Sequence, residues 1–273
     1  MPPRPVIGLL TDFGARDPSG GICEGVILGI CPEATVIHIS HEVTKYAIRD
    51  GALMLWCALP YLPVGVHMAV VDPGVGTARR PVAIVTQRGD VLIGPDNGLL
   101  RPAAERLGGI VAAHELTSQA HRLHPVSTSF HGRDIFAPAA AHLAAGVGVA
   151  EMGAALDPAT LVDLEIPPAK PIPGGVATTV VYVDTFGNCK LGGLRADLEA
   201  SAGPMGPGRA VRVQADGAGE QRMGWADTFG GVPVGAPMLY VDSYDRLTIA
   251  VNQGSAASAL GLAQDQPLQI TVE

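Results

Sequence analysis

The run Val66-His67-Met68-Ala69-Val70-Val71, closed by Asp72-Pro73-Gly74-Val75-Gly76, decides how the first half of the chain is read. It carries no formal charge and is rich in valine, so it reads as a buried strand, and the proline and glycine after Asp72 stop it. Towards the N-terminus, residues 46–59 place apolar side chains at helical spacing, 36–39 read as a strand, 21–30 as a helix and 6–10 as a strand. Strand, helix, strand, helix, strand predicts βαβ units, hence an α/β fold with a mostly parallel sheet flanked by helices. Downstream, residues 82–86 and 91–93 suggest a hairpin, and 99–107 and 135–145 further helices. Residues 166–175, IPPAKPIPGG, hold four prolines and two glycines and read as a linker between domains at 1–165 and 176–273. Beyond it lie short β-like runs at 176–183, 210–213, 237–241, 247–251 and 268–272, separated by glycine-rich turns. They predict a smaller C-terminal all-β, barrel-like domain.

Composition narrows the function classes. Hydrophobic residues make up 47% of the 273 and charged residues only 16%, which is globular rather than disordered. A formal charge of −8 argues against a nucleic-acid partner, which needs a basic face. The four cysteines show no CxxC spacing and read as buried free thiols of a cytoplasmic protein. Residues 6–10 are too short for the apolar core of a signal peptide. The uncharged stretch 51–71 is cut by Pro60, Pro63 and Gly65, so a buried core is expected there and no membrane span.

Ligands of open α/β sheets sit beyond the carboxyl ends of strands, and three polar segments fall at such ends: Thr11-Asp12-Phe13-Gly14, Asp72 to Gly76, and Asp96-Asn97-Gly98. Gly74-Val75-Gly76 lacks the third glycine of a dinucleotide fingerprint and the Gly-Lys-Ser/Thr of a P-loop. Its two glycines are read as room for a ligand to approach the backbone. His38 and His41 have HxxH spacing, but on a strand positions i and i+3 face opposite sides, and His121 and His124 lie in a polar loop. No metal is expected. His131, in Phe130-His131-Gly132-Arg133-Asp134, stands beside the start of a helix, and Asp184-Thr185-Phe186-Gly187-Asn188 gives the β-rich half a polar and aromatic cluster.

Taken together, TDFG, VVDPGVGTARR, GPDNG, FHGRDIFAP, DTFGN and the late NQGSAA resemble, in order and approximate spacing, the S-adenosyl-L-methionine (SAM) hydroxide adenosyltransferases. These adenosine-forming SAM hydrolases are kin to the fluorinase and chlorinase, and the likeness covers essentially the whole chain. It implies a homotrimer with active sites between the N-terminal domain of one subunit and the C-terminal domain of the next. The implied reaction is attack of water on ribose C5′ of SAM, giving adenosine and L-methionine, with SAM as substrate and no cofactor. The resemblance makes Asp72, Arg79 and His131 catalytic. It assigns Asp12 to the ribose hydroxyls, with Tyr46 beside the sugar. Asp184 would take the methionine ammonium, Ser243 and Tyr244 its carboxylate, and Asn188 and the backbone near Gln253 the adenine edge. Phe186 or Phe229 would supply an apolar face.

Where halogenating relatives carry a tyrosine this chain has Asp72, and where they carry a small hydroxyl residue it has Gly132. Nor do residues 91–130 contain anything like their inserted loop. These departures favour water over halide, leaving a SAM-dependent halogenase and a non-catalytic SAM- or adenosine-binding protein as the alternatives. A sulfonium leaves as a neutral thioether and needs no acid, so the demand is on orienting water and taking its proton. The residues suggest that Asp72 and Arg79 orient the water and His131 assists, with the proton acceptor open between Asp72 and His131.

Overall fold

The computed structural model describes residues 4–273, which divide into two compact units with a boundary after Leu164. In the N-terminal unit, β1 (Val6–Thr11), α1 (Ser19–Ile30), β2 (Thr35–Ser40), α2 (Ile48–Ala58) and β3 (Val66–Val70) form the expected alternation. They are followed by β4 (Pro81–Thr86), β5 (Val91–Pro95), α3 (Arg101–Arg106), β6 (Ile110–Glu115), α4 (Ala137–Ala144) and β7 (Ala155–Leu156). Sheet order is β2-β1-β3-β5-β4-β6-β7. The first four strands in that order run parallel, and β4, β6 and β7 extend the sheet antiparallel.

Strand alternation sorts the core into two layers. Ile7, Leu9 and Met68 meet Cys23 and Ile27 of α1 and the alanine-rich α4 on one face. Leu10, Ala69 and Leu92 meet Ala52 and Leu55 of α2 and Ala103 and Ala104 of α3 on the other. Both faces of the central strands are buried, so β3 reads as a continuous apolar run. Its carboxyl end, like that of β1, is therefore fixed.

The C-terminal unit contains β8 (Lys170–Ile172), β9 (Gly175–Val183), β10 (Cys189–Leu194), α5 (Arg195–Ala202), β11 (Ala210–Ala215), β12 (Gly219–Trp225), β13 (Pro237–Val241), β14 (Arg246–Val251), α6 (Ala256–Leu260) and β15 (Pro267–Val272). The order β10-β14-β13-β12-β11-β15-β9 closes through a β9–β10 pairing into a seven-strand barrel, and β8 adds to β9 outside the closure. Inward residues such as Val180, Leu191, Val213, Trp225, Leu239, Ile249 and Ile270 fill it. The proline-rich segment 166–175 thus contains β8, which pairs with β9, and the first residue of β9.

Candidate active site

Asp72 follows the end of β3 after one intervening residue, and two overlapping turns bring the chain back beside it. Val75 N–H donates to Asp72 O, Thr77 N–H and hydroxyl both donate to Gly74 O, and Arg79 N–H donates to Thr77 Oγ1. The result sets Arg79 against Asp72 in a two-point ion pair, Nε on Oδ1 at 3.1 Å and Nη2 on Oδ2. Both side chains are nearly buried, at 7% and 5% exposure, so neither charge is screened by bulk water. Gly76 serves this turn rather than a ligand. Its φ is +76°, and a Cβ there would run into the carbonyl oxygen of Thr128. Gly74 has no such constraint; its nearest neighbours leave ordinary contact distance.

His131 reaches the same place from far along the chain. It opens a π-helical turn, Gly132–Phe136, that leads into α4. Buried Asp134 anchors the turn by accepting Ser127 N–H at 2.8 Å and the Arg133 guanidinium, so the charged pair of this motif is structural. Phe13 and Phe130 meet edge to face at 5.8 Å, and a Cβ on Gly132 would press on both rings. Arg79 Nη2 donates to His131 Nδ1 at 3.2 Å, which fixes the ring proton of neutral His131 on Nε2. Burial, and then the positive charge of Arg79, lower the His131 pKa below the ordinary 6.5, outweighing the pull of Asp72 and Asp134. Arg79 Nη1 is buried with no hydrogen-bond partner among the described residues, a donor that asks for a water or a ligand oxygen.

Asp12, Tyr46, Asp72 and His131 share a pocket of about 280 Å³, with Arg79 behind Asp72 and His131. Asp12, just past β1, accepts Tyr46 N–H on Oδ2 at 2.9 Å. Tyr46 is held at a φ of +64° and is 71% exposed, a backbone conformation that non-glycine residues adopt at a cost. Sequence reasoning missed Lys45, whose ammonium donates to Asp12 O (2.6 Å) and Phe13 O (2.9 Å) and so ties down the loop after β1. Asp96, the third strand-end signal, is spent structurally on Arg80 and Val162 N–H. The His38–His41 reading is corrected. Because β2 ends at Ser40, His41 lies past the strand, and its Nε2 meets His38 Nδ1 at 2.7 Å. The facing nitrogens are used on each other.

A second pocket, of about 740 Å³, belongs to the C-terminal unit and collects all the residues expected there: Asp184, Phe186, Asn188, Phe229, Ser243, Tyr244 and Gln253. Phe186 is 78% exposed, and Gln253 has a φ of +54°. Two hairpin turns build the pocket, each a five-residue motif: Asp184-Thr185-Phe186-Gly187-Asn188 between β9 and β10, and Asp242-Ser243-Tyr244-Asp245-Arg246, whose last residue opens β14. Sequence reasoning missed that they are the same structure. In the first, Asp184 Oδ1 accepts the N–H groups of Phe186 and Asn188, both at 2.9 Å. In the second, Asp242 Oδ1 accepts those of Tyr244 and Arg246, at 2.9 and 3.0 Å. Each loop places its fourth residue in the left-handed region, Gly187 at +81° and Asp245 at +62°. Each projects a hydroxyl residue and then an aromatic. Tyr240, between burial and the charges of Asp242 and Asp184, has its phenol pushed up to about 12.

Comparison with known proteins identifies the family of the chain. Residues 7–153 match the SAM hydroxide adenosyltransferase N-terminal domain, and residues 178–269 match the C-terminal domain of that family. A curated (R)-S-adenosyl-L-methionine hydrolase of Salinispora tropica is 44% identical over 99% of both chains. A fluorinase of an Actinoplanes species is 29% identical over 98% of both. The crystal structure of an uncharacterized conserved protein from Thermotoga maritima superposes with a TM-score of 0.90 at 32% identity, covering 97% of this chain and 99% of that one. The chain belongs to the SAM hydroxide adenosyltransferase family.

Proposed function

We propose that this protein is a SAM hydrolase, converting SAM and water to adenosine and L-methionine. The cluster of Asp72, Arg79 and His131 carries the reading. A nearly buried carboxylate, a guanidinium and a neutral imidazole converge beside a pocket, and one guanidinium nitrogen has no protein partner among the described residues. Water held there gives its proton to Asp72 while its oxygen attacks C5′. The C5′–O bond forms as the C5′–S bond breaks, and the electron pair leaves with sulfur as the neutral thioether of methionine. With its proton on Nε2, His131 acts as a donor that holds the water oxygen, and Arg79 fixes both partners. Asp12 and Tyr46 receive the ribose. Asp184, Ser243 and Tyr244 receive the amino-acid end, and Asn188, Gln253, Phe186 and Phe229 receive the adenine.

A pocket of about 280 Å³ is small for a whole nucleoside sulfonium. It would suit a site completed by a neighbouring subunit, and the homotrimer itself is inferred from the family resemblance alone. Equilibrium sedimentation giving a monomer at full activity would remove that part. The reaction needs no cofactor, so activity should persist after dialysis against a chelator. Free cysteines and the SAM substrate favour a cytoplasmic location. No helix among the described residues is long and apolar enough to cross a membrane.

Incubation of the purified protein with SAM in H₂¹⁸O is the direct test. One heavy oxygen in the 5′-hydroxyl of adenosine is expected. Bound SAM with no adenosine formed would instead indicate a binding protein.

A further inference from the structure

The geometry points to Lys190 as the residue that makes the C-terminal pocket specific for a zwitterionic amino-acid end, by pairing with the carboxylate of the methionine moiety. This rests on the SAM-hydrolase reading and adds to it a charge partner for that carboxylate.

The twin loops supply the argument, because they are alike in backbone and differ in charge. Both use aspartate Oδ1 for two backbone N–H groups and leave Oδ2 for one side-chain donor. On Asp184 that donor is the neutral amide of Asn188, at 2.9 Å, so the first loop keeps its negative charge. On Asp242 it is the ammonium of Lys190, at 2.5 Å, so the second loop is neutralised. Lys190, the second residue of β10, and Asn188, the last residue before it, lie two apart and both line the pocket, which lets Lys190 reach across to the neighbouring loop.

Among the described residues, Lys190 is the sole cationic side chain lining this pocket, against two carboxylates. A ligand carboxylate entering without it would meet Asp184 and Asp242 unopposed. The ammonium-bearing side chain is 12% exposed, and Nζ lies 5.2 Å from the Tyr244 ring centroid. One of its three N–H bonds goes to Asp242, and among the described residues no other acceptor takes the remaining two. The pocket therefore has an anionic side at Asp184 for an ammonium. It has a cationic side at Lys190, next to the Ser243 hydroxyl, for a carboxylate.

The test compares SAM with its decarboxylated analogue, the same sulfonium bearing a 3-aminopropyl chain. For Lys190→Met, the ratio of kcat/KM for SAM to that for the analogue should fall about 10–100-fold, through KM, because a charge-assisted contact is lost. Lys190→Arg should restore most of the ratio. Since Lys190→Met leaves Asp242 without its partner, the double variant Lys190→Met/Asp242→Asn is measured alongside. The asparagine oxygen of the double variant can still accept both loop N–H groups, so the loop stays built while the charge pair is gone. An unchanged ratio in both variants, or an equal loss on both substrates, would overturn the assignment. If the wild-type protein forms no adenosine from SAM, the hydrolase reading itself fails; if it does and the ratio is unmoved, only the role of Lys190 fails.

Discussion

The two pockets are built on opposite principles. In the N-terminal unit, Asp72, Arg79 and His131 come from a strand end, a double turn and a π-helical turn, with Arg79 and His131 separated by 52 positions. In the C-terminal unit, each loop organises itself within five residues around its own aspartate. The first arrangement exists only when the sheet and α4 are packed, and its charges are nearly buried, which suits bond-making that needs fixed distances and little water. The second holds its shape locally and leaves an aromatic exposed, which suits ligand recognition. The same division predicts that substitutions in the Asp72–Arg79–His131 cluster act on kcat and those in the second pocket on KM.

Asp72→Asn should break the comparison most visibly. It keeps the shape of the side chain and removes the charge proposed to take the proton, so kcat should fall about 10²–10⁴-fold with KM little changed. Adenosine release under saturating SAM measures it. A kcat close to that of the wild type would remove Asp72 from the chemistry. Asp184→Asn is the matching change in the other pocket. It can still accept Phe186 and Asn188 N–H but loses the charge for an ammonium, so KM should rise about 10–100-fold, with kcat affected less. A drop in kcat alone would mean that the two pockets do not divide the work in this way.

The contrast also explains what the sequence discloses. Short-range features were legible: the βαβ alternation, the barrel strands with clean alternation such as β11, and the polar segments at the ends of β1 and β3. β10, whose sequence CKLGGL lacks a strand signature, and β12, with the polar GEQRMGW, were not, because their pairing partners rather than their propensities make them strands. The kinship of the twin loops was hidden because Gly187 and Asp245 share a left-handed backbone and nothing in side-chain chemistry. Lys190 escaped because it acts on a loop 52 residues away, and Lys45 because its partners are backbone carbonyls. The resemblance proposes the site residues, while the turn that joins Asp72 to Arg79 depends on the backbone bonds of residues 72–79 and has no sequence signature.

That turn can be tested through its glycines. Gly76→Ala places a side chain at positive φ and against the Thr128 carbonyl, so it should cost about 1–3 kcal/mol in denaturant unfolding. It should lower turnover as well, since Thr128 leads directly into the segment that carries His131. Gly74→Ala, with only ordinary contacts around its new methyl, should change stability by less than about 0.5 kcal/mol. If the two variants behave alike, Gly76 is not what holds the 72–79 turn against the 128–131 segment.

The smallest expected effect concerns pH. A proton added to His131 must sit on Nδ1, facing the Arg79 N–H that this nitrogen now accepts, inside a nearly buried cluster. Burial first and the charge of Arg79 second therefore favour the neutral ring. The acid limb of kcat should lie below 6.5, with a flat profile from about pH 8 down to that point, whereas a solvent-exposed imidazole would already be half protonated there. The same shift has a stability consequence of definite sign. Between 6.5 and the lower folded-state pKa, the unfolded chain binds a proton that the folded chain refuses, so stability should decline as pH falls through that window. His131→Gln should flatten this part of the stability profile, because glutamine does not titrate. An acid limb at or above 6.5 would mean that His131 is charged in the working enzyme, and Arg79 would then have to be drawn away from it.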